Sequence, residues 1–540
     1  MDETEVDYLI IGAGVAGLTL GRFLRGSRVA VLDPHPFRYK LGESLTPEHL
    51  SDPAFADLRA AVPSLPSYSA KRGSLYVGAD GVASFPLSPK DGAAAAHLRR
   101  EEREGLMAAR WEVPIERERV QRYDPETHRV TTDRRVWRVR GQVLDCSGVA
   151  RVLARAMSLE RELWRSYASW MYLDIRAVRD ERFMDMVRAT GRAYARYDPG
   201  VGHPLPPEEP AGWSPSDCTI VWRVRDGAFA WQIPLYNKSV LSFGVTSRHG
   251  PVARDELLAT ARACVAPCYE VDPRPFDGSS DHNRFHVYNR FSRAATRVAD
   301  ARWILVGDAG FFGEPIYATG TAVAASQALH LARVLTTTGW TEAACADYVA
   351  RSTRTREASL AARRYFFTPE EDAAADGAGR YEDRSLRGTA FQLTMANNYG
   401  RILAGVKVFA GAPDAFASRY EASAEAHRAY AEALAGLLAE AHAPPGWRVR
   451  MAYPARGGVQ AALAHEGLAD LTVRVERARA GARYFRARAG KGVAYMNLPD
   501  GPYPLTPLSL ALLECLSQSL DRDGWEPLLR AGADGGDPPR

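Results

Sequence analysis

The segment Ile10-Ile11-Gly12-Ala13-Gly14-Val15-Ala16-Gly17 constrains this chain more than any other, because of what surrounds it. Val6 to Ile11 reads as a buried strand, the glycines follow at once, and Val15 to Leu24 has helical apolar spacing. A second strand, Val29 to Leu32, ends at Asp33. In that setting each glycine has a physical reason. One tightens the turn, one lets the backbone approach a pyrophosphate, and one lets helix pack on strand. The helix N-terminus offers unpaired N–H groups to the phosphates, and Asp33 is placed to accept from ribose hydroxyls. Gly12, Gly14, Gly17 and Asp33 are thus predicted to hold a dinucleotide.

A length of 540 residues exceeds one ordinary domain and predicts two or three. Lys and Arg (69) nearly balance Asp and Glu (65), so no nucleic-acid partner is expected. The acidic N-terminus lacks a basic leader region, and no uninterrupted apolar stretch has membrane-spanning length, which predicts a soluble cytoplasmic protein. The six cysteines are mostly far apart, as in a reduced protein. Cys264 and Cys268 lack a second pair of metal-binding spacing, so no metal is expected.

Residues 1 to about 165 alternate strand and helix and end in the turn Asp145-Cys146-Ser147-Gly148. Between 166 and 289 the pattern becomes strand-like (Trp170 to Ile175, Thr219 to Val224, Ala228 to Leu235, Ser239 to Thr246), consistent with a sheet over a substrate cavity. Residues 290 to 365 return to the nucleotide domain through the strand Trp303 to Val306 and a helix from about Thr321 to Leu335. A Pro/Glu/Asp/Ala/Gly stretch, Thr368 to Arg380, predicts a linker or mobile loop, and Ala412 to Ala443 a helix within a mostly helical region, 366 to 450. In residues 451 to 540, two short strands around Gly490-Lys491-Gly492 and a capped helix over Thr506 to Leu516 are compatible with a small winged-helix module, or with a packing extension.

The glycine fingerprint, Gly42-Glu43-Ser44, the Asp145-Cys146-Ser147-Gly148 turn, and Gly307-Asp308-Ala309 followed by Pro315 and Gly320 resemble the FAD-dependent aromatic monooxygenase superfamily, and within it the flavin-dependent halogenases. The resemblance spans roughly residues 5 to 365. It implies an α/β fold: a discontinuous Rossmann-type FAD-binding domain with an inserted, mainly β substrate domain. It also implies FAD held by Glu43, Ser44, Asp308 and Gly310 besides the fingerprint residues.

Three further segments bear on halogenation. Lys71, in Lys71-Arg72-Gly73-Ser74-Leu75-Tyr76-Val77-Gly78, is similar to the lysine of halogenases acting on phenols and pyrroles, which directs the electrophilic halogen. Tyr76 stands for a phenylalanine there, and a tryptophan is missing. Phe229-Ala230-Trp231-Gln232-Ile233-Pro234 resembles a W-x-W-x-I-P motif thought to keep flavin and substrate apart. Phe229, replacing the first tryptophan, keeps the bulk and loses the indole N–H, and Phe229, Trp231 and Pro234 are the candidate separators. In Phe312 to Gly320, Ala318 replaces a serine, and the amides of Thr319 and Gly320 occupy the positions that hold the halide. Tyr317 stands where tryptophan halogenases carry a glutamate, and joins Lys71 as a candidate catalytic residue.

The resemblance implies FAD reduced by a separate flavin reductase, a chloride or bromide ion, and an electron-rich aromatic substrate (phenol, pyrrole or indole type), free or tethered to a carrier protein or peptide. An alternative is a hydroxylase or oxidase of the same fold acting on an aromatic or a peptide-bound Trp or Tyr. A flavin-binding recognition protein that uses its C-terminal module without turnover is a third.

Overall fold

The structure is a computed structural model. It describes residues 3–367 apart from 88, 90–93, 198, 200–204, 207, 210–211, 226 and 274–283, a set of residues between 391 and 409, and the backbone of six strands between 447 and 530.

Five parallel strands build the nucleotide-binding sheet, in the order Trp303–Leu305, Val143–Asp145, Tyr8–Ile11, Val29–Leu32, Ile115–Glu116. The apolar runs of the four strands other than the edge strand Ile115–Glu116 reflect burial on both faces, as parallel sheets require. Helix Val15–Phe23 follows the glycine turn and packs its Leu18 and Leu20 with Leu329 and Ala332 of helix Gly320–Thr337. The doubly wound α/β domain therefore joins the two ends of the resemblance, residues about 300 apart in the chain. The stretch expected as one strand from Val6 is two. Glu3–Val6 joins Val136–Val139 in a separate sheet, and the chain turns at Asp7, whose carboxylate takes the Arg28 guanidinium at 2.9 Å.

A nine-stranded sheet faces this domain. Its order is Ala193–Arg196, Gly81–Pro86, Gly73–Val77, Cys218–Arg225, Ala228–Leu235, Val240–Ser247, Tyr167–Val178, Tyr269–Pro273, with His286–Asn289 also paired to Tyr167–Val178. Alternation along each strand separates two cores. Leu75, Ile220, Trp222 and Phe243 pack against helices Glu181–Ala189 and Arg254–Val265, while Tyr76, Trp170, Phe229 and Trp231 face the other way. The sheet draws strands from both sides of residue 165, and Lys71 lies just before the first of them.

Beyond helix Glu342–Phe367, Phe391, Met395, Tyr399 and Leu403 extend the aromatic core around Tyr76 and Phe85. The strands Trp447–Ala452, Gln460–His465, Leu468–Arg477, Arg483–Ala489, Gly492–Leu498 and Pro527–Arg530 form one antiparallel sheet that contains the hairpin around Gly490-Lys491-Gly492. The expected linker Thr368 to Arg380 and the expected helices over Ala412 to Ala443 and Thr506 to Leu516 lie outside the described residues.

Candidate active site

A cavity of about 880 Å³ lies between the two sheets, and its wall includes Gly12, Gly14, Asp33, Glu43, Ser44, Phe229, Trp231, Asp308, Thr319 and Gly320. Residues spread over more than 300 positions of sequence thus share one concavity, of the size that small ligands and cofactors fill.

The glycines divide the labour at one end. Gly12 holds φ at +101°, and a Cβ there would sit 2.5 Å from the Cys146 carbonyl oxygen, so this turn and the Asp145-Cys146-Ser147-Gly148 turn must approach closely. Gly14 lines the cavity, where a Cβ would meet only Glu104 Oε1 at 3.7 Å. Gly17 does not line it: a Cβ would lie 1.9 Å from the Gly12 carbonyl oxygen, so this glycine serves helix–strand packing. Asp33 accepts from the Ala13 and His35 amides, both at 2.9 Å, which fixes its carboxylate at the cavity edge.

In the middle, Asp308 follows strand Trp303–Leu305. Burial raises the pKa of its carboxyl, against the pull of the Arg100 and Arg151 guanidiniums. Arg100, which sequence reasoning missed, also lines the cavity and donates to the Leu41 carbonyl at 3.2 Å. Helix Gly320–Thr337 begins at Thr319 with no side chain capping its first turn, so those N–H groups face the cavity with the positive end of the helix dipole. Ala318, just before, is held at φ +55°, a left-handed conformation costing a non-glycine residue about 1 kcal/mol. Gly310 packs near Val298 and Leu305 and does not reach the wall.

At the far end, strand Ala228–Leu235 presents Phe229, Trp231 and Ile233 to the cavity. Pro234 falls on the opposite face by strand alternation and is absent from the wall. The Trp231 indole crosses the neighbouring strand over Gly244, where a Cβ would lie 2.2 Å from its ring. Its N–H has no partner among the described residues. Tyr317 is also not in the wall. It is buried in the aromatic core, its ring 5.4 Å from Tyr76 and 5.8 Å from Tyr399.

Lys71 is 3 % exposed. A small antiparallel sheet places it. Ala96–His97 pairs with both Ser44–Leu45 and Ser69–Ala70, so His97 stands opposite Ser44 and Ser69, and Lys71 follows directly. Lys71 Nζ donates to Ser44 Oγ at 2.9 Å. Ser44 Oγ lies 2.7 Å from Thr219 Oγ1, which lies 2.9 Å from His97 Nε2. Ser44 and Thr219 belong to the cavity wall, with Lys71 and His97 behind them. Burial lowers the pKa of Lys71 from 10.5 to about 7, opposed by Cys218 and Glu48. Burial also holds His97 well below 6.5, helped by Lys71 and Lys238.

Glu43 anchors a second chain. The Trp170 indole N–H donates to Tyr39 Oη at 2.6 Å, Tyr39 and Tyr172 hydroxyls meet at 2.7 Å, and Tyr172 donates to Glu43 Oε1. Burial raises the pKa of the Glu43 carboxyl, and the Tyr172 hydroxyl opposes that. The adjacent motif residues Glu43 and Ser44 therefore serve two different networks. Neither His97 nor Thr219 carries a local sequence signal. Only the register between distant strands brings them to Lys71.

No family model matches the chain, and no curated protein matches it. Solved structures share its fold. The flavin-dependent brominase Bmp2 is 18% identical over 77% of this chain and 98% of its own, with a TM-score of 0.52. Halogenase PltM in complex with phloroglucinol and FAD is 12% identical over 79% and 96%, with a TM-score of 0.52. A flavoprotein/dehydrogenase from Cytophaga hutchinsonii is 16% identical over 73% and 93%, with a TM-score of 0.50. The fold is that of the FAD-dependent halogenases and related flavoproteins.

Proposed function

We propose that this chain is an FAD-dependent halogenase acting on an electron-rich aromatic of the phenol, pyrrole or indole type. The observation that carries the reading is Lys71, buried, with a depressed pKa, and one hydroxyl behind the wall on the Trp231 side of the cavity. A surface lysine would have none of these properties, and a buried lysine is costly enough to need a reason.

The residues present fit FAD. Gly12 and Gly14 leave backbone open for a pyrophosphate, Asp33 suits a ribose, and Asp308 with Arg100 suits the polar middle of the cofactor. When bound and reduced by a separate flavin reductase, FAD supplies the oxygen activation. The chain's own residues do the rest. The amides at Thr319 and Gly320 hold a chloride or bromide. Phe229 and Trp231 form a barrier between flavin and substrate, and the Trp231 N–H is a donor for a ring substituent. Lys71, a neutral amine for half its population near pH 7, takes up the electrophilic halogen and directs it. Phloroglucinol, present in the PltM structure, is a phenol of the kind expected, and a carrier-tethered aromatic is the other form of substrate to offer.

One observation favours a hydroxylase of the same fold: Ser44 and Thr219, and not Lys71, form the wall itself. The decisive assay supplies FAD, a flavin reductase, NADH, oxygen and bromide with a phenol, a pyrrole and an indole, and reads products by mass spectrometry. The expected result is a brominated ring, lost in Lys71→Ala while hydrogen peroxide release continues. A gain of one oxygen atom, independent of halide, would establish the hydroxylase instead.

A further inference from the structure

We propose that His97 is a positioning residue that takes the proton from Lys71 through the hydroxyls of Ser44 and Thr219, leaving the Lys71 amine free to accept an electrophile. This deepens the proposed reading of Lys71 and rests on it.

The geometry is a continuous chain of heteroatoms, 2.9, 2.7 and 2.9 Å apart from Lys71 Nζ to His97 Nε2. All four side chains are buried, and the two ends, Lys71 and His97, lie behind the cavity wall that Ser44 and Thr219 form. Lys71 has only protons to give, which fixes the polarity. Lys71 donates to Ser44, Ser44 donates to Thr219, and Thr219 donates to His97 Nε2, an acceptor when the other ring nitrogen carries the proton. His97 Nδ1 has no partner among the described residues, and none of their carboxylates or carbonyls holds the ring in one tautomer.

Transfer needs no group to move. Lys71 passes one proton to Ser44, Ser44 passes its own to Thr219, and Thr219 passes its own to Nε2. Every hydrogen bond then runs the opposite way, Lys71 is a neutral amine, and His97 is an imidazolium. The amine next reacts with hypohalous acid. The N–halogen bond forms, the halogen–oxygen bond breaks, the halogen is formally reduced on transfer to the ring, and the departing oxygen leaves as water with the proton displaced from nitrogen. Burial, with the charge of Lys71 added to it, holds His97 well below its ordinary value, so the proton rests on Lys71 and passes to His97 only transiently, as the amine reacts. The other charged and titratable groups around the pair are Glu48 and Cys218 near Lys71, Lys238 near His97, and His49, which Lys71 also influences. None of them stands within the hydrogen-bonded chain.

The test is the pH dependence of halogenation in His97→Gln, Thr219→Val and Thr219→Ser, each as a ratio to the unaltered enzyme. His97→Gln keeps a hydrogen-bonding group beside Thr219 and cannot take a proton. A lost proton acceptor is expected to lower kcat about a hundredfold near pH 6.5, with KM changed less than about twofold, and the deficit should shrink to within about fivefold near pH 9, where Lys71 arrives neutral. Thr219→Val, which interrupts the chain, should show the same convergence, and Thr219→Ser, which preserves it, should track the unaltered enzyme. Equal losses at both pH values, a loss carried by KM, or no loss in His97→Gln would overturn the proposal. Absence of any halogenation in the unaltered enzyme would instead overturn the underlying reading of Lys71, so the two failures are distinct.

Discussion

Replacing Lys71 by methionine should stabilise the protein and do so in a pH-dependent way. Met fills nearly the same volume, and Ser44 keeps Thr219 as a hydrogen-bond partner, so the substitution leaves no orphaned hydroxyl behind. Burial lowers the Lys71 pKa from 10.5 to about 7. The sign follows from linkage: the unfolded chain binds the Lys71 proton more tightly than the folded one, so this lysine destabilises the fold wherever the unfolded side chain is charged. The penalty is absent above the ordinary lysine value, grows as pH falls through it, and is complete once pH drops below about 7. At about 1.36 kcal/mol per pH unit, the full drop corresponds to about 5 kcal/mol, and between pH 10 and pH 7 the penalty should grow by about 3–4 kcal/mol. Urea titrations of the two full-length proteins, followed by tryptophan fluorescence at several pH values, measure that difference. Other titrating groups cancel in the comparison, and His97 and His49, which feel the Lys71 charge, are neutral throughout the window above pH 7. If the two stability curves run parallel between pH 7 and pH 10, Lys71 is not held as a depressed buried amine, and the argument for its chemistry fails with it.

The glycines give a contrast that separates binding from folding. Gly14→Val should fold normally and purify without FAD, because its Cβ meets only Glu104 within 4 Å, while Gly17→Ala should lose several kcal/mol of stability from its 1.9 Å collision with the Gly12 carbonyl. Flavin content and thermal unfolding of both variants check this, and a yellow Gly14→Val would contradict the placement of the pyrophosphate. Gly244→Ala should push the Trp231 indole from its seat across the neighbouring strand, at a cost of about 1–3 kcal/mol, and should change product distribution more than flavin affinity. Unchanged regioselectivity would remove Trp231 from the substrate-facing wall.

The nucleotide end was legible because its requirements are local. Gly12, Gly14 and Gly17 belong to a strand, turn and helix unit whose parts follow one another in sequence, so spacing alone reports them, even though the close approach that Gly12 permits is to the distant Cys146 turn. The substrate sheet was legible for a similar reason: period-two alternation in Ala228–Leu235 marks a strand wherever it ends up. What could not be read was which face of a strand meets the cavity. Pro234 belongs to the same motif as Phe229 and Trp231, yet one step along a pleated strand turns it away. Tyr317 sits between two wall residues, Ile316 and Ala318, and points into the aromatic core.

The least legible residues are those that extend the hydrogen-bonded chain from Lys71. His97 and Thr219 are ordinary in their own surroundings and become functional only through pairings of Ser44 with His97 and of Thr219 with Ser74, across gaps of 53 and 145 residues. Such pairings are set by the fold as a whole, and a single sequence carries no periodicity for them. They also explain why two motifs resembling those of one family sit together. Gly42-Glu43-Ser44 supplies the hydroxyl that Lys71 needs, and the sheet beginning at Gly73 supplies the strand on which Thr219 is registered. A chain with the lysine but without that register would place it at the surface, where its pKa would return to the ordinary range and its amine would be protonated at neutral pH. The chemistry proposed for Lys71 is therefore a property of strand pairing as much as of the residue, and substitutions that shift the Gly73–Val77 register against Cys218–Arg225 should abolish it without touching the lysine.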